Sequence, residues 1–153
     1  MKPVFLSIGS NIRPKKNIPA CLKLLKRTFR VRKISSIYET KPVGPAGDKN
    51  FWNLVVEIET GLERKALTST LRTLEKKLGR QRNRKNRFAP RTIDLDILPQ
   101  PDYQKYAFIM VPLAEVAPKK RDPESGKTFQ SLAKPLLEGA QAFKKINVSE
   151  VVP

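Results

Sequence analysis

Apolar residues along this chain fall into short runs separated by polar and turn-forming residues. Residues 4–10, VFLSIGS, and residues 54–60, LVVEIET, are each apolar over the length of an ordinary strand. Four other segments are rich in β-branched or alternating apolar residues and are predicted to be strands too. The complete set of predicted strands is residues 4–10, 30–40, 54–60, 92–98, 106–113 and 145–148.

Three further segments carry apolar residues at helical spacing. The clearest is residues 63–78, where four leucines lie three or four positions apart and a glycine follows as a stop signal. A second helix is predicted to begin at Asn17, as its N-cap, with a proline in its first turn. Residues 131–143 predict a third helix, weakened at Pro135.

Up to residue 143 these elements predict the order β-α-β-β-α-β-β-α, with loops at residues 41–50, 80–91 and 117–129, and a short last strand follows at residues 145–148. Strands interspersed with two crossover helices indicate the α+β class. We expect a ferredoxin-like α/β sandwich, in which helices pack on a mainly antiparallel sheet. A chain of 153 residues is the size of one ordinary domain, so residues 1–153 are predicted to form a single domain.

Composition restricts the environment and the partners. No apolar run reaches the length of about 18 residues that a membrane helix needs, and we read the amino-terminal segment as a strand rather than a signal peptide. A single cysteine fits a reducing compartment, so we expect a cytoplasmic protein without membrane partners. The net charge of +17 attracts polyanions such as nucleic acid and phosphorylated ligands, or reflects solubility alone.

The chain contains no histidine. Catalysis by Ser–His or Cys–His pairs is therefore excluded, as are histidine zinc sites. One cysteine also excludes a zinc site built from thiolates. Any enzymatic site must use carboxylates, amides, hydroxyls, Arg, Lys and metals that prefer oxygen ligands.

The segment 92–98, TIDLDIL, places Asp94 and Asp96 on the same side of a predicted strand. By itself this pattern is more typical of an amphipathic strand with a solvated face. The preceding residues change that interpretation, because the loop 80–91, RQRNRKNRFAPR, holds six cations and no acid. Arginines bind phosphate oxygens and carboxylates bind the Mg²⁺ that bridges them, so the two together indicate a phosphoryl-transfer site.

Two further observations shape this hypothesis. The glycine-rich loops of the common nucleotide-binding folds are missing, so an ATP site here is of another type. Phe51, Trp52 and Asn53 follow a loop rich in proline and glycine, and rings beside an amide suit a flat heterocycle. Because adjacent strand residues face opposite sides, one ring of the pair is expected in the core.

Several stretches resemble one family, the 6-hydroxymethyl-7,8-dihydropterin pyrophosphokinases of folate biosynthesis. Residues 87–98 meet the signature R-x-A-P-R-x-x-D-L-D-I-L in full. The other matching stretches, in the order of the family, are LSIGSN (6–11), Y-x-T-x-P-x-G-P (38–45), F-x-N (51–53), L-E-x-x-L-G-R-x-R (74–82) and V-P-L-A-E-V-A-P (111–118). The resemblance covers residues 1 to about 118 and implies transfer of pyrophosphate from ATP to the pterin alcohol, with release of AMP.

The resemblance also implies roles for individual residues. Two Mg²⁺ ions would be held by Asp94 and Asp96. The ATP site would comprise Glu75, Arg80, Arg82, Arg87, Phe88 and Arg91. The pterin site would comprise Thr40, Val43, Phe51, Asn53 and Phe108. Catalysis would depend on Arg82, Arg91 and Asp96. The implied partners are the two small-molecule substrates, with nucleic acid not expected and a monomer the expected state.

One departure from the family pattern leaves alternatives open. Residues 98–108 are shorter than the family's segment, and Tyr106 stands where the family has an arginine. One alternative is therefore a family member with reduced or lost catalysis. Another is a basic nucleic-acid-binding domain, although the predicted sheet lacks an aromatic pair typical of RNA-binding sheets.

Overall fold

The computed structural model describes residues 1–40, 50–80, 92–139 and 144–150. The strands are β1 (Lys2–Ser10), β2 (Arg30–Ile34), β3 (Ile37–Thr40), β4 (Phe51–Thr60), β5 (Asp94–Leu98) and β6 (Lys144–Ile146). The helices are α1 (Pro14–Thr28), α2 (Arg64–Lys77), α3 (Ala107–Val116) and α4 (Phe129–Gly139). Short 3₁₀ turns lie at Tyr103–Lys105 and Val148–Glu150.

Within the described residues the six strands form one antiparallel sheet in the order β5-β1-β4-β3-β6, with β2 also paired to β4. The first five strands along the chain, with α1 and α2 as crossovers, follow the order β-α-β-β-β-α-β. Because β2 and β3 pair with successive parts of β4, together they take the place of one strand in the β-α-β-β-α-β arrangement of a ferredoxin-like fold. The predicted α+β sandwich is confirmed. In the parts of the chain that the structure describes, no helix is long and apolar enough to cross a membrane.

One face of the sheet carries the larger core. Leu6, Ile8, Leu54 and Leu95 alternate inward along their strands and are at most 1% exposed. They pack against the apolar sides of α1 and α2. The helical spacing of the leucines in α2 was therefore a correct guide to its buried side, and the helix ends as predicted just before Gly79.

The opposite face is divided between a core and a polar surface. At one end Phe5, Val55 and Leu98 pack against α3 and α4. At the other end of this face, the same alternating positions of β1, β4 and β5 are occupied by Ser7, Asn53, Asp94 and Asp96, so the surface there is polar. This polar end is the place where the sequence predicted a site.

The predicted strand at residues 106–113 is wrong, because this segment is the helix α3. Ile109, Met110, Val111 and Leu113 are all buried, since α3 lies between the sheet and α4. A helix that is covered on nearly every side is apolar on nearly every side, and a short run of this kind has no helical period to reveal it.

Two boundaries in the amino-terminal third also differ from prediction. The helix α1 begins at Pro14 and not at Asn17, because Arg13 adopts a left-handed conformation that starts the helix and Pro14 occupies its first turn. Asn17 lies inside the helix, where its Nδ2 donates to the Ile12 carbonyl at 2.6 Å. The predicted strand 30–40 is interrupted at Ser35, whose Oγ accepts the Val55 N–H at 2.9 Å.

Candidate active site

Gly9 is the centre of the polar end of the sheet. In the strand register it lies opposite Asn53 of β4 on one side and opposite Asp94 of β5 on the other. Residues directly opposite each other share a face, so the amide and the carboxylate flank Gly9 on the same surface. Their strands are two spacings apart, about 10 Å, which leaves room for a small ligand above the glycine.

The side chain of Asn53 depends on Gly9 for its position. A Cβ atom at residue 9 would lie 2.9 Å from Asn53 Oδ1, closer than such atoms normally approach. Asn53 is 6% exposed, and its Nδ2 donates to Thr40 Oγ1 at 3.2 Å. The strand pairing and this hydrogen bond hold the amide in one orientation at the edge of the polar surface.

Asp94 and Asp96 lie on this surface as the period of the strand predicted, with Leu95 between them buried in the first core. Burial, followed by the negative charge of Asp94, raises the pKa of Asp96 to about 7. The two carboxylates therefore repel each other, and a cation bound between them would relieve this repulsion. Among the described residues no group of three or more His, Cys, Asp or Glu could hold a metal by itself.

An ion cluster on α2 holds the strand that carries these carboxylates. Glu75 is 2% exposed, and its Oε2 accepts the Leu95 N–H at 2.8 Å. Arg80 Nη1 donates to Glu75 Oε2 at 2.9 Å, to the Ile93 carbonyl at 3.1 Å and to Asp94 Oδ1 at 2.5 Å. Among the described strands β5 is at the edge of the sheet, so these side chains satisfy backbone groups on the side of β5 that none of those strands reaches.

The Nη1 atom of Arg80 that contacts Asp94 therefore also binds Glu75 and the Ile93 carbonyl. Burial alone would lower the pKa of Arg80, but the charge of Asp94, with those of Glu75 and Asp96, outweighs burial and raises it. The guanidinium remains charged and partly neutralises the carboxylate pair. Its Nε is buried without a hydrogen-bond partner among the described residues.

A cleft of about 200 Å³ opens beside Asp96, between α2 and β5. Its lining includes Thr68, Arg72 and Gln100. The guanidinium of Arg72 donates to the Leu95 carbonyl at 3.1 Å and pairs with Glu75 at 3.2 Å. A larger cleft of about 420 Å³ begins at Pro3 and Val4, at the other end of β1 from Gly9.

The aromatic residues divide as expected. Trp52 is 6% exposed in the first core, where its Nε1 donates to Glu39 at 3.1 Å. Phe51 is half-buried on the same face as Asn53. Phe108 packs at the edge of the second core, stacked at 5.3 Å on Tyr106, and lies on α3 on that face of the sheet.

The structure thus brings Thr40, Phe51, Asn53, Asp94 and Asp96 onto one face of the sheet, with Glu75 and Arg80 at its edge. Five predicted site residues lie outside the described residues: Val43, Arg82, Arg87, Phe88 and Arg91.

The sequence interpretation missed three contributors to this site. Gly9 has a steric role that only the sheet register reveals. Ser10 is fully buried and its Oγ donates to the Thr92 carbonyl at 2.6 Å, which ties the end of β1 to the residues before β5. Arg72 could have been found from its position three residues before Glu75 on a predicted helix.

Comparison with known proteins decides the family. The model of the 7,8-dihydro-6-hydroxymethylpterin-pyrophosphokinase family matches residues 5–118. The chain belongs to this family. All of the site residues that the resemblance implied, from Thr40 to Phe108, lie inside the matched part of this pyrophosphokinase chain.

Relatives of this pyrophosphokinase chain match over most of its length. A 2-amino-4-hydroxy-6-hydroxymethyldihydropteridine pyrophosphokinase from Bacillus subtilis is 34% identical over 97% of this chain and 95% of the relative. One of the same name from Pseudomonas aeruginosa is 33% identical over 90% of this chain and 94% of the relative. A third, from Aquifex aeolicus, is 31% identical over 80% of this chain and 85% of the relative.

Proposed function

We propose that this protein transfers the pyrophosphoryl group of ATP to 6-hydroxymethyl-7,8-dihydropterin, in a magnesium-dependent reaction that serves folate biosynthesis. The hydroxymethyl oxygen loses its proton to a carboxylate or to water and forms a bond to the β-phosphorus, and the bond from that phosphorus to the oxygen of the α-phosphate breaks. The products are AMP and the pterin diphosphate. The proposal is carried by one observation: an amide and a carboxylate pair flank Gly9 on one face of the sheet.

Asp94 and Asp96 are proposed to hold two Mg²⁺ ions. The residues present fit such ions, because both side chains are oxygen donors on one surface and because their mutual repulsion is relieved by added positive charge. When bound, Mg²⁺ would supply neutralisation of the phosphate oxygens of ATP. The role of the protein is to fix the two carboxylates, which the bonds of Glu75 and Arg80 to β5 achieve.

The ATP site is proposed to lie along α2 and β5, next to the carboxylates. The cleft beside Asp96 and the positive charges of Arg72 and Arg80 support this position. Glu75 contributes by orienting these two guanidinium groups. The residues proposed to complete the site are Arg82, Arg87, Phe88 and Arg91, of which Arg82 and Arg91 are proposed to stabilise the transferring group.

The pterin is proposed to bind above Gly9. Asn53 presents an amide that can pair with the edge of the heterocycle, and Thr40 holds that amide in place. Phe51 and Phe108 supply ring surface on the same face of the sheet. Val43 is proposed as the remaining contact. This arrangement places the pterin beside Asp94 and thus beside the phosphates.

Catalysis in this scheme depends on positioning and charge neutralisation. Phosphoryl transfer requires little covalent participation from a protein, so a chain without histidine can perform it. Asp96 is proposed as the carboxylate whose loss is most damaging, because it lies at the cleft and because burial raises its pKa to about 7.

The deciding experiment measures AMP formation with ATP, Mg²⁺ and the pterin alcohol. We expect AMP only when the alcohol is present, and we expect Asp96→Ala to lower the rate by at least about a hundredfold. Asp102→Ala is the matched control, because Asp102 is an exposed carboxylate whose only ion pair within the described residues is with Lys105. Full activity of the Asp96 variant would contradict the metal role.

A second candidate is a family member with reduced catalysis, and the segment 98–108 favours it. Tyr103 is 3% exposed and donates its hydroxyl to Asp122, so it is part of the core. Lys105 pairs with Asp102 at the surface, 3.2 Å away. This candidate predicts that calorimetry detects ATP and pterin binding while AMP accumulates slowly or not at all.

We also infer a monomeric protein of a reducing compartment such as the cytoplasm. Cys21 is the single cysteine and is fully buried, and burial raises the pKa of its thiol to about 12. Sedimentation at micromolar concentration tests the monomer.

A further inference from the structure

The first 38 residues carry ten lysines and arginines and no aspartate or glutamate. This segment comprises β1, α1, β2 and the first two residues of β3. Most of its cations lie on α1 or just after it. Ten positive charges therefore lie in one contiguous part of the fold, and the proposed reaction makes no demand on these cations.

The cations of α1 form a stripe along its outer side. The buried residues of the helix are Asn17, Ile18, Cys21, Leu22 and Leu25. At 100° per residue, the exposed cations occupy an arc of about 120° on the opposite side. They are Lys15, Lys16, Lys23, Lys26 and Arg27.

This stripe is about 18 Å long, from the rise of 1.5 Å per residue, and its two groups, Lys15–Lys16 and Lys23–Arg27, are separated by about 10 Å along the helix axis. Between its cations lie only the partly buried Pro19 and Ala20. None of the five cations pairs with a carboxylate of the described residues. The contrast is β2, where Arg30 and Arg32 both lie within 3.9 Å of Glu59.

We propose that this outer side of α1 binds the phosphate backbone of double-stranded nucleic acid, without sequence preference. Closely spaced cations without neighbouring acids match a linear array of phosphates. The stripe has no exposed large apolar residue of the kind that enters a membrane, since those within the described residues are Met1, Leu62, Tyr106 and Leu137. It has no aromatic ring for stacking unpaired bases, so a duplex is favoured over a single strand.

The proposed surface is separate from the catalytic face. The helix α1 packs on the side of the sheet that carries Leu6 and Ile8, whereas Asp94 and Asn53 project from the other side. Because α1 runs back along the sheet after β1, Lys23, Lys26 and Arg27 lie toward the end that is remote from Gly9. Binding there leaves the ATP site open. This differs from the expectation, drawn from the sequence alone, that nucleic acid is not a partner.

The test compares two triple variants by fluorescence anisotropy with a short mixed-sequence DNA duplex, in the presence of saturating Mg²⁺ and ATP. The first variant carries Lys23→Gln, Lys26→Gln and Arg27→Gln. The second, as a control, carries Lys119→Gln, Lys127→Gln and Lys134→Gln, which are also exposed and remove the same charge from other parts of the surface. Circular dichroism and AMP formation establish that both variants are folded.

We expect the α1 variant to bind the duplex roughly tenfold more weakly. Because three phosphate contacts are lost, the slope of the logarithm of the binding constant against the logarithm of the salt concentration should fall by up to about 2.7. The control variant should keep the slope of the original protein. Equal losses in both variants would show diffuse attraction and overturn the proposal, as would no loss in the α1 variant. Tighter binding to vesicles of equal parts phosphatidylcholine and phosphatidylserine than to the duplex would also overturn it.

Discussion

The carboxylate of Glu75 accepts a hydrogen bond from the backbone N–H of Leu95, at a distance of 2.8 Å. This bond joins α2 to the outermost strand of the sheet at the residue between the two candidate metal ligands. The same carboxylate accepts hydrogen bonds from Arg72 and Arg80, which also donate to the carbonyl groups of Leu95 and Ile93. The positions of Asp94 and Asp96 therefore depend on a buried glutamate of the neighbouring helix.

Replacing Glu75 with glutamine should reduce the free energy of unfolding by about 3 kcal/mol, because Arg80, whose side chain is 9% exposed, and the half-buried Arg72 both lose a charged partner. Urea unfolding measures this. Glu124→Gln is the control, as an exposed loop carboxylate whose loss should change stability by less than about 0.5 kcal/mol. A Glu75 variant as stable as the control would show that the cluster does not hold β5.

Gly9→Ala should weaken pterin binding with little effect on ATP binding. The added Cβ would lie 2.9 Å from Asn53 Oδ1, so the amide must shift from its orientation. We expect KM for the pterin to rise by at least about tenfold, the equivalent of one misplaced hydrogen bond. Gly61→Ala is the matched control, since a Cβ there meets nothing within 4 Å. Equal KM values in the two variants would contradict the steric role of Gly9.

Asp96→Asn should stabilise the metal-free protein while it removes activity. The amide keeps the shape of the carboxylate but eliminates its repulsion with Asp94, a gain of about 1 kcal/mol. Thermal unfolding in EDTA measures the gain. Adding Mg²⁺ should then raise the melting temperature of the original protein more than that of the variant. A variant that is destabilised in EDTA would show that the two carboxylates do not repel.

Stability should decline in acid because of Glu115. Burial works to raise the pKa of Glu115, but hydrogen bonds from Tyr38 Oη and the Ser36 N–H outweigh it, so the pKa is lowered from its ordinary 4.5. The folded state thus gains from the carboxylate above pH 4.5 and loses that gain as the pH falls through the lowered pKa. When the free energy of unfolding is measured with urea from pH 7 to pH 3, it should decline less steeply with falling pH for Glu115→Gln than for the original protein. An equally steep decline in the variant would show that other carboxylates cause it.

A related decline should occur in alkali. Burial, followed by the bond to Glu115, raises the pKa of Tyr38 above its ordinary 10, and burial with the bond to Asp122 does the same for Tyr103. Both phenols stabilise the fold while neutral, and this contribution is lost as the pH rises above 10 through the raised values. Ultraviolet titration of tyrosinate should show these phenols ionising together with unfolding. Ionisation near pH 10 in the folded protein would refute this account.

Much of the fold followed from local pattern. The leucines of α2 and the alternation of β5 are set by helix and strand periods, which depend on a few neighbouring residues. The same reasoning was wrong for α3. Its segment is apolar because α4 covers it from one side and the sheet from the other, and that covering is a property of distant residues.

The sequence by itself determined that Asp94 and Asp96 share a face, and its motifs identified the pyrophosphokinase family. Only the tertiary structure decided what lies beside them: Asn53 and Asp94 flank Gly9 because β1 pairs with β4 and β5 at once. It also decided that Glu75 secures β5 and which side of α1 is buried against the sheet. Strand order and burial are set by contacts between residues far apart in the chain, which no local period contains.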